Sequence, residues 1–155
     1  MQLQKRSVID NDHYINSSYL HLYPLLSNNI ELIEWSMQNV NSMYGETRGV
    51  LDRNNVNKFE YHSFNTILAL RGEWPLLAKR CQYILDNPTT VKRLVRYQVD
   101  HEFYLALAQG NIIAMQNCLN AITSKRIRSK EFGFGLTENL ISTYAVIFAK
   151  IAWLH

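Results

Sequence analysis

Chain breakers are scarce in this sequence: 155 residues hold three prolines and six glycines. So little punctuation speaks against a fold of many short strands and favours long helices. Cysteine is scarcer still, with only Cys81 and Cys118. That excludes a disulfide framework, and their spacing fits no zinc motif. Both lie in apolar helical patterns and read as buried thiols in a reducing compartment. A long apolar run is also missing. The most apolar stretch, Leu140 to Leu154, carries Ser142, Thr143 and Lys150 and is too short and too polar to span a bilayer. The opening MQLQKRSVIDND has no apolar h-region, so it does not read as a signal peptide. The expected location is therefore the cytoplasm. A strong excess of one charge is lacking too. The net +3 is mild, where a nucleic-acid binder usually shows a stronger excess or a clear stripe.

What is present suits a globular domain. Apolar residues make up 47% and charged residues 19%, enough for one hydrophobic core with no metal or disulfide staple. Nine Tyr, six Phe and three Trp serve that core, and some of them suit contacts with other proteins.

Apolar residues recur at helical spacing along most of the chain, and sustained period-two alternation is absent. The expected fold is all-α, with about seven helices in antiparallel hairpins. Residues 1–155 read as a single helical domain, with an N-terminal helix pair at 12–45 and stacked hairpins over 58–155. The first helix runs from Asp12, and Pro24 kinks or limits it. Ser27 or Asn28 caps the second, with Glu31 completing a capping box and Ile30, Ile33, Met37 and Val40 facing inward. A polar connection covers 46–57. The third helix begins at Lys58 with Phe59, Phe64, Ile67 and Leu68 inside. The fourth opens at Trp74-Pro75 and buries Leu77, Cys81, Ile84 and Leu85. A long, central fifth helix starts at Thr89 or Thr90 and reaches Gly110. The sixth starts at Asn111, with Ile112, Met115, Leu119 and Ile122 inward. Residues 123–135 read as a basic loop, and a last helix runs from about Thr137.

Two segments look alike: LALRGEWPLLAKRCQYIL from Leu68 and LALAQGNIIAMQNCLNAI from Leu105. Each has Leu-Ala-Leu, a glycine, a second apolar helix and a cysteine. Their separation suits helical-hairpin repeats, which stack to bury a shared core and offer a curved surface to partners.

Motifs for catalysis are not found. Asp100-His101-Glu102 are successive residues, about 100° apart on a helix, so they do not converge on one substrate. Leu105 stands where a second zinc-binding His would be needed. The three read as a solvated or partly packed helix face. His13, His21, His62, His101 and His155 show no ligand spacing on one helix. No catalytic site, cofactor or metal is expected. Lys125, Arg126, Arg128 and Lys130, with Lys79, Arg80, Lys92, Arg93 and Arg96, form either a solvated surface, a phosphate-binding face or a dock for an acidic protein. Trp74, beside Glu73 at a hairpin tip, is either an interface anchor or a staple folded on its own helix.

The second half resembles bacterial immunity proteins of polymorphic toxin systems, nearest to the immunity protein 49 family. The resembling stretches are SFNTILALRGEWPLLAKRC (Ser63 to Cys81), DHEFYLALAQGNIIAMQNCLNAITSKRIR (Asp100 to Arg128) and LISTYAVIFAKIAWLH (Leu140 to His155). One departure is that such proteins are expected to continue past the closing helix. The resemblance implies a non-enzymatic protein that binds one cognate secreted toxin domain, commonly a nuclease, and occludes its active site in contact-dependent growth inhibition. Chemistry and position then nominate Glu31, Glu34, Glu73, Trp74, Asp100 and Glu102 for a basic toxin cleft, and Lys125, Arg126 and Arg128 for an acidic one. A helical adaptor or nucleic-acid-associated regulator using the basic 125–130 loop is the competing expectation. Salt dependence separates the two, because phosphate binding weakens steeply as salt rises.

Overall fold

The computed structural model describes residues 22–39, 53–124 and 141–155. Seven α-helices and no strand occur among them. In chain order they are α1 (Leu22–Leu26), α2 (Ile30–Asn39), α3 (Phe59–Leu70), α4 (Trp74–Asp86), α5 (Gln98–Ala108), α6 (Ile112–Ile122) and α7 (Thr143–Leu154). A single 3-10 turn, Val95–Tyr97, precedes α5. The fold is all-α, as the periodicity implies. No described helix is long and apolar enough to cross a membrane.

Two turns of the same construction organise the stack. Gly72 and Gly110 each end a helix at φ +67, a conformation that costs an L-residue a steric clash between Cβ and backbone. The next residue's N–H reaches back five positions: Glu73 donates to the Leu68 carbonyl at 3.0 Å and Asn111 to that of Ala106 at 2.8 Å. The glycine N–H donates three positions back, to Ala69 and to Leu107. Both are Schellman turns, which satisfy the last carbonyls of a helix while reversing the chain. Aligned on their glycines, the hairpins place Leu68 opposite Ala106. The Leu-Ala-Leu matches in the sequence are thus offset by one from the structural repeat.

Helix α5 packs along α3, α4 and α6, so it is central as expected. It is also shorter than expected. Residues 92–94 form a turn, the 3-10 turn follows, and regular helix begins only at Gln98. The β-branched residues Thr89, Thr90, Val91 and Val95, next to Pro88, disfavour an early helical start. Val95 is left 49% exposed, whereas Leu94 is buried.

Helix α7 closes the core over α6 and α1. Phe148 stacks on Phe103 with centroids 4.8 Å apart, and Tyr104 meets it edge-on at 5.0 Å. Such pairs contribute about 1 kcal/mol each beyond the area they bury. Helix α7 starts at Thr143, not near Thr137, because the Ser142 hydroxyl caps it by accepting from the Ala145 amide. Residues 137–140 lie outside the described residues.

The N-terminal elements depart from expectation in detail. Residues 12–21 lie outside the described residues, and Pro24 stands within the first turn of the short α1, where a missing N–H costs nothing. The cap of α2 is Asn29, whose Oδ1 accepts from the Leu32 amide at 3.2 Å, and not Ser27 or Asn28. Asn28 instead adopts φ +52 and accepts a hydrogen bond from Lys150 on α7. Of the expected inner face, Ile33 is buried and Met37 packs on the core, but Ile30 is 55% exposed. On α6, likewise, Ile112 is 72% exposed, while Cys118 and Ile122 are buried.

Candidate functional site

Helix α3 is enclosed on nearly every side, and polar residues share that enclosure. Tyr61, His62, Ser63, Asn65 and Thr66 are all buried along with Ile67 to Leu70. The expected inner residues Phe59 and Phe64 are only half-buried. Burial of polar groups requires partners, and α4 and α5 supply them. His101 on α5, 1% exposed, places Nε2 2.7 Å from Nδ1 of His62. Its Nδ1 lies 3.1 Å from Nδ2 of Asn65. Oδ1 of Asn65 accepts from Nε of Arg80 on α4 at 2.7 Å. Nε2 of His62 lies 3.1 Å from the Val56 carbonyl.

These contacts fix every proton. Arg80 can only donate, so the Asn65 oxygen must face it and the Asn65 amide must donate to His101 Nδ1. His101 is therefore protonated at Nε2 and donates to His62 Nδ1. His62 in turn carries its proton on Nε2 and donates to Val56. One directional chain runs from Arg80 through Asn65, His101 and His62 to the backbone, with both rings neutral. Electrostatics agree with the geometry. Burial, reinforced by the Arg80 and Arg96 charges, pushes His62 down to about 4. Burial, His62 and Arg80 hold His101 well below the usual histidine range.

Arg80 is itself 8% exposed. Its Nη2 donates to the carbonyls of Arg53 and Tyr61, and its Nη1 to Oδ1 of Asn54. Its guanidinium lies over the Tyr61 ring at 4.1 Å. These partners are neutral oxygens and a π face, and burial lowers the Arg80 pKa. The Tyr61 hydroxyl donates to the Arg80 carbonyl at 2.7 Å, and burial pushes it up to about 12. A second buried bond, Thr66 to Tyr104 at 2.8 Å, joins α3 to α5 one turn further along.

The two histidines also line a small cleft of about 100 Å³, walled by Ile84, Leu85, Pro88, Leu94 and Val95. Thr89 and Gln98 stand at its polar edge. All four ring nitrogens of the pair are already engaged in the protein, so neither ring offers a lone pair to a metal or substrate. No group of three or more His, Cys, Asp or Glu that could hold a metal occurs among the described residues.

Sequence reasoning missed this seam. Of the face Asp100-His101-Glu102, expected to be solvated or partly packed, His101 is wholly buried, because its partners His62 and Asn65 come from α3 and not from its own helix. Glu102 is exposed and accepts from Gln98 at 3.0 Å, and Asp100 is half-buried. Arg80 likewise leaves the proposed basic surface for the interior, while Lys79, Lys92, Arg93 and Arg96 remain exposed. Cys81 is fully buried, and burial pushes its thiol up to about 12.

The nominated contact residues fall at separate places. Glu73, at the α3–α4 turn, pairs with Arg71 at 3.8 Å, and Arg71 also donates to the Met37 carbonyl of α2 at 2.9 Å. That ties the end of α2 to the turn. Trp74 is half-buried against the core, and its ring stands nearly perpendicular to the His155 imidazole at the end of α7, centroids 4.7 Å apart, so it packs on a neighbouring helix and not on its own. Glu31 and Glu34 are exposed on α2. On the same helix, beside Glu31 and away from Ile33 and Met37, stand Trp35, 55% exposed, and Leu32, 41% exposed. Trp35 was legible from the same helical spacing that put Ile33 and Met37 inside. Asp100 and Glu102 lie apart on α5. Lys125, Arg126 and Arg128 are outside the described residues.

Compared with family models, curated proteins and solved structures, the chain matches none.

Proposed function

We propose that this chain is an immunity protein that binds a cognate secreted toxin domain, a nuclease, and occludes its active site without catalysis of its own. The observation that supports this most is the outward face of α2, where Trp35 and Leu32 stand exposed to one side of the carboxylates of Glu31 and Glu34. Tryptophan is among the residues that dominate binding energy at interfaces, and flanking charge sets partner choice and association rate. An apolar anchor with carboxylates along one side suits the basic cleft with which a nuclease holds its phosphates. The residues 63–81, 100–128 and 140–155 that resemble the immunity protein 49 family give the reading its direction. The engaged histidine pair fits a structural role and leaves the interaction surface as the working part.

Co-expression with the toxin domain encoded beside this gene tests the reading. Rescue of the cells, with a complex that co-purifies, is the expected result. Cells that die, with no complex recovered, would overturn it, and nucleic-acid binding across a salt series becomes the next measurement.

A further inference from the structure

We propose that His62 and His101 form an acid-operated latch between α3 and α5, in which a proton arriving through the cleft breaks their bond and opens the seam. The inference is independent of the toxin reading and follows from which atoms face which. The only lone pairs on the two rings that lack a proton are Nδ1 of His62 and Nδ1 of His101. The first faces the Nε2–H of His101 at 2.7 Å and the second faces the Asn65 amide at 3.1 Å. A proton added at either position sets donor against donor. Rotation of Asn65 cannot relieve the clash, because its oxygen is held by Arg80. Transfer of the shared proton cannot relieve it either, since that would put a proton on His101 Nδ1 against the same amide. Each protonation therefore costs a bond between helices.

The surroundings add to the cost. The charges acting on the rings are cations, Arg80 from α4 and Arg96 from the 3-10 turn. The other ionisable neighbours are Tyr97, whose ring lies 5.1 Å from that of His62, with Tyr61 and Cys81, which burial holds neutral. On α5 itself, Asp100 acts on Cys81 and Tyr104, and Glu102 is exposed and bonded to Gln98. Access is provided because both rings line the cleft. One side of it is the stretch from Pro88 to Tyr97, which has irregular, turn and 3-10 backbone and so has few helical bonds to lose.

The sign is set by the lowered pKa values. Histidine in the unfolded chain takes its proton near pH 6.5, whereas folded His62 does so at about 4. The pair's contribution is fully present above pH 6.5 and is lost as pH falls toward the folded values. For His62 alone, the equilibrium for opening shifts by about 30-fold between pH 7.5 and pH 5.0.

Amide hydrogen exchange on the full chain, corrected for intrinsic rates, tests the latch. At pH 5.0, protection of residues 97–103 is expected to fall by 30-fold or more relative to pH 7.5, and that of Ile147–Ile151 in α7 by much less. An equal fall in both regions, or none in either, overturns the latch. The H62Q/H101Q double variant keeps one acceptor and one donor at each position without titrating, and its exchange is expected to be insensitive to the same change. An undiminished response in the variant overturns the proposal. If the variant does not fold, the imidazole ¹⁵N shifts of the wild-type protein decide. One protonated and one unprotonated nitrogen in each ring at pH 5.5 support the latch, and ordinary titration near 6.5 removes it.

Discussion

Replacing Arg80 by methionine exposes how much of the fold hangs on one buried cation. The substitution keeps an unbranched chain of similar volume but deletes four hydrogen bonds, to Asn65 Oδ1, Asn54 Oδ1 and the carbonyls of Arg53 and Tyr61. The Arg53 and Asn54 oxygens are part-buried and can turn to water. Asn65 is fully buried, so its Oδ1 loses its donor with nothing to replace it, whereas the Tyr61 carbonyl keeps its bond within α3. The orphaned acceptor costs about 1–3 kcal/mol. Loss of the guanidinium from the Tyr61 face adds roughly 1–2 kcal/mol. Against this, the guanidinium no longer has to be desolvated, which returns part of the loss. The net destabilisation comes to about 2–3 kcal/mol, a sizeable share of the 5–15 kcal/mol typical of a domain. Urea unfolding at pH 7.5, followed by tryptophan fluorescence, measures it. Arg80→Lys should recover less than half, since an ammonium cannot reproduce the planar fork. A loss below about 1 kcal/mol for Arg80→Met would show that Arg80 is not the fixed end of the chain through Asn65, and the tautomers assigned to His101 and His62 would lose their basis.

Other consequences are as direct. Gly110→Ala meets no atom within 4 Å, so its cost is conformational alone, about 1 kcal/mol and a melting temperature lower by roughly 2–4 °C. An unchanged melting temperature would contradict the left-handed turn. Thr66→Val strips the Tyr104 hydroxyl of its bond and should cost about 1–3 kcal/mol. Adding Tyr104→Phe should restore much of this, and a double-mutant cycle that is strictly additive would show the two hydroxyls to be uncoupled. Cys81, fully buried with its thiol raised to about 12, should resist thiol reagents at pH 8 until the chain is unfolded. Fast native-state labelling there would contradict its burial.

The architecture was legible because it rests on local signals. Gly72 and Gly110 announce their turns by type and position, and the α4 and α7 faces follow from apolar spacing. What escaped notice depends on neighbours distant in sequence. His62, Asn65, Arg80 and His101 lie on three helices, and each looks alone like a surface residue. Only packing shows that α3 has no solvent face over these positions. The sequence makes α5 longer than it is, because Val91, Leu94 and Val95 continue an apolar pattern that 3-10 and turn backbone serve equally well. Conversely, Ile30 and Ile112 were placed inward by spacing, yet each stands at the first position of its helix, beyond the reach of the neighbouring element. For the contact surface, the glutamates of α2 were read from charge. Trp35 beside Glu31 is legible in the same way, since the wheel that buries Ile33 turns it outward.

The central claim is binding by occlusion, and titration of the toxin domain's activity with this protein tests it most directly. The account predicts that activity falls linearly with added protein and vanishes at a fixed molar ratio, with Trp35→Ala weakening the inhibition. No inhibition, or inactivation by far less than a stoichiometric amount of protein, would contradict it.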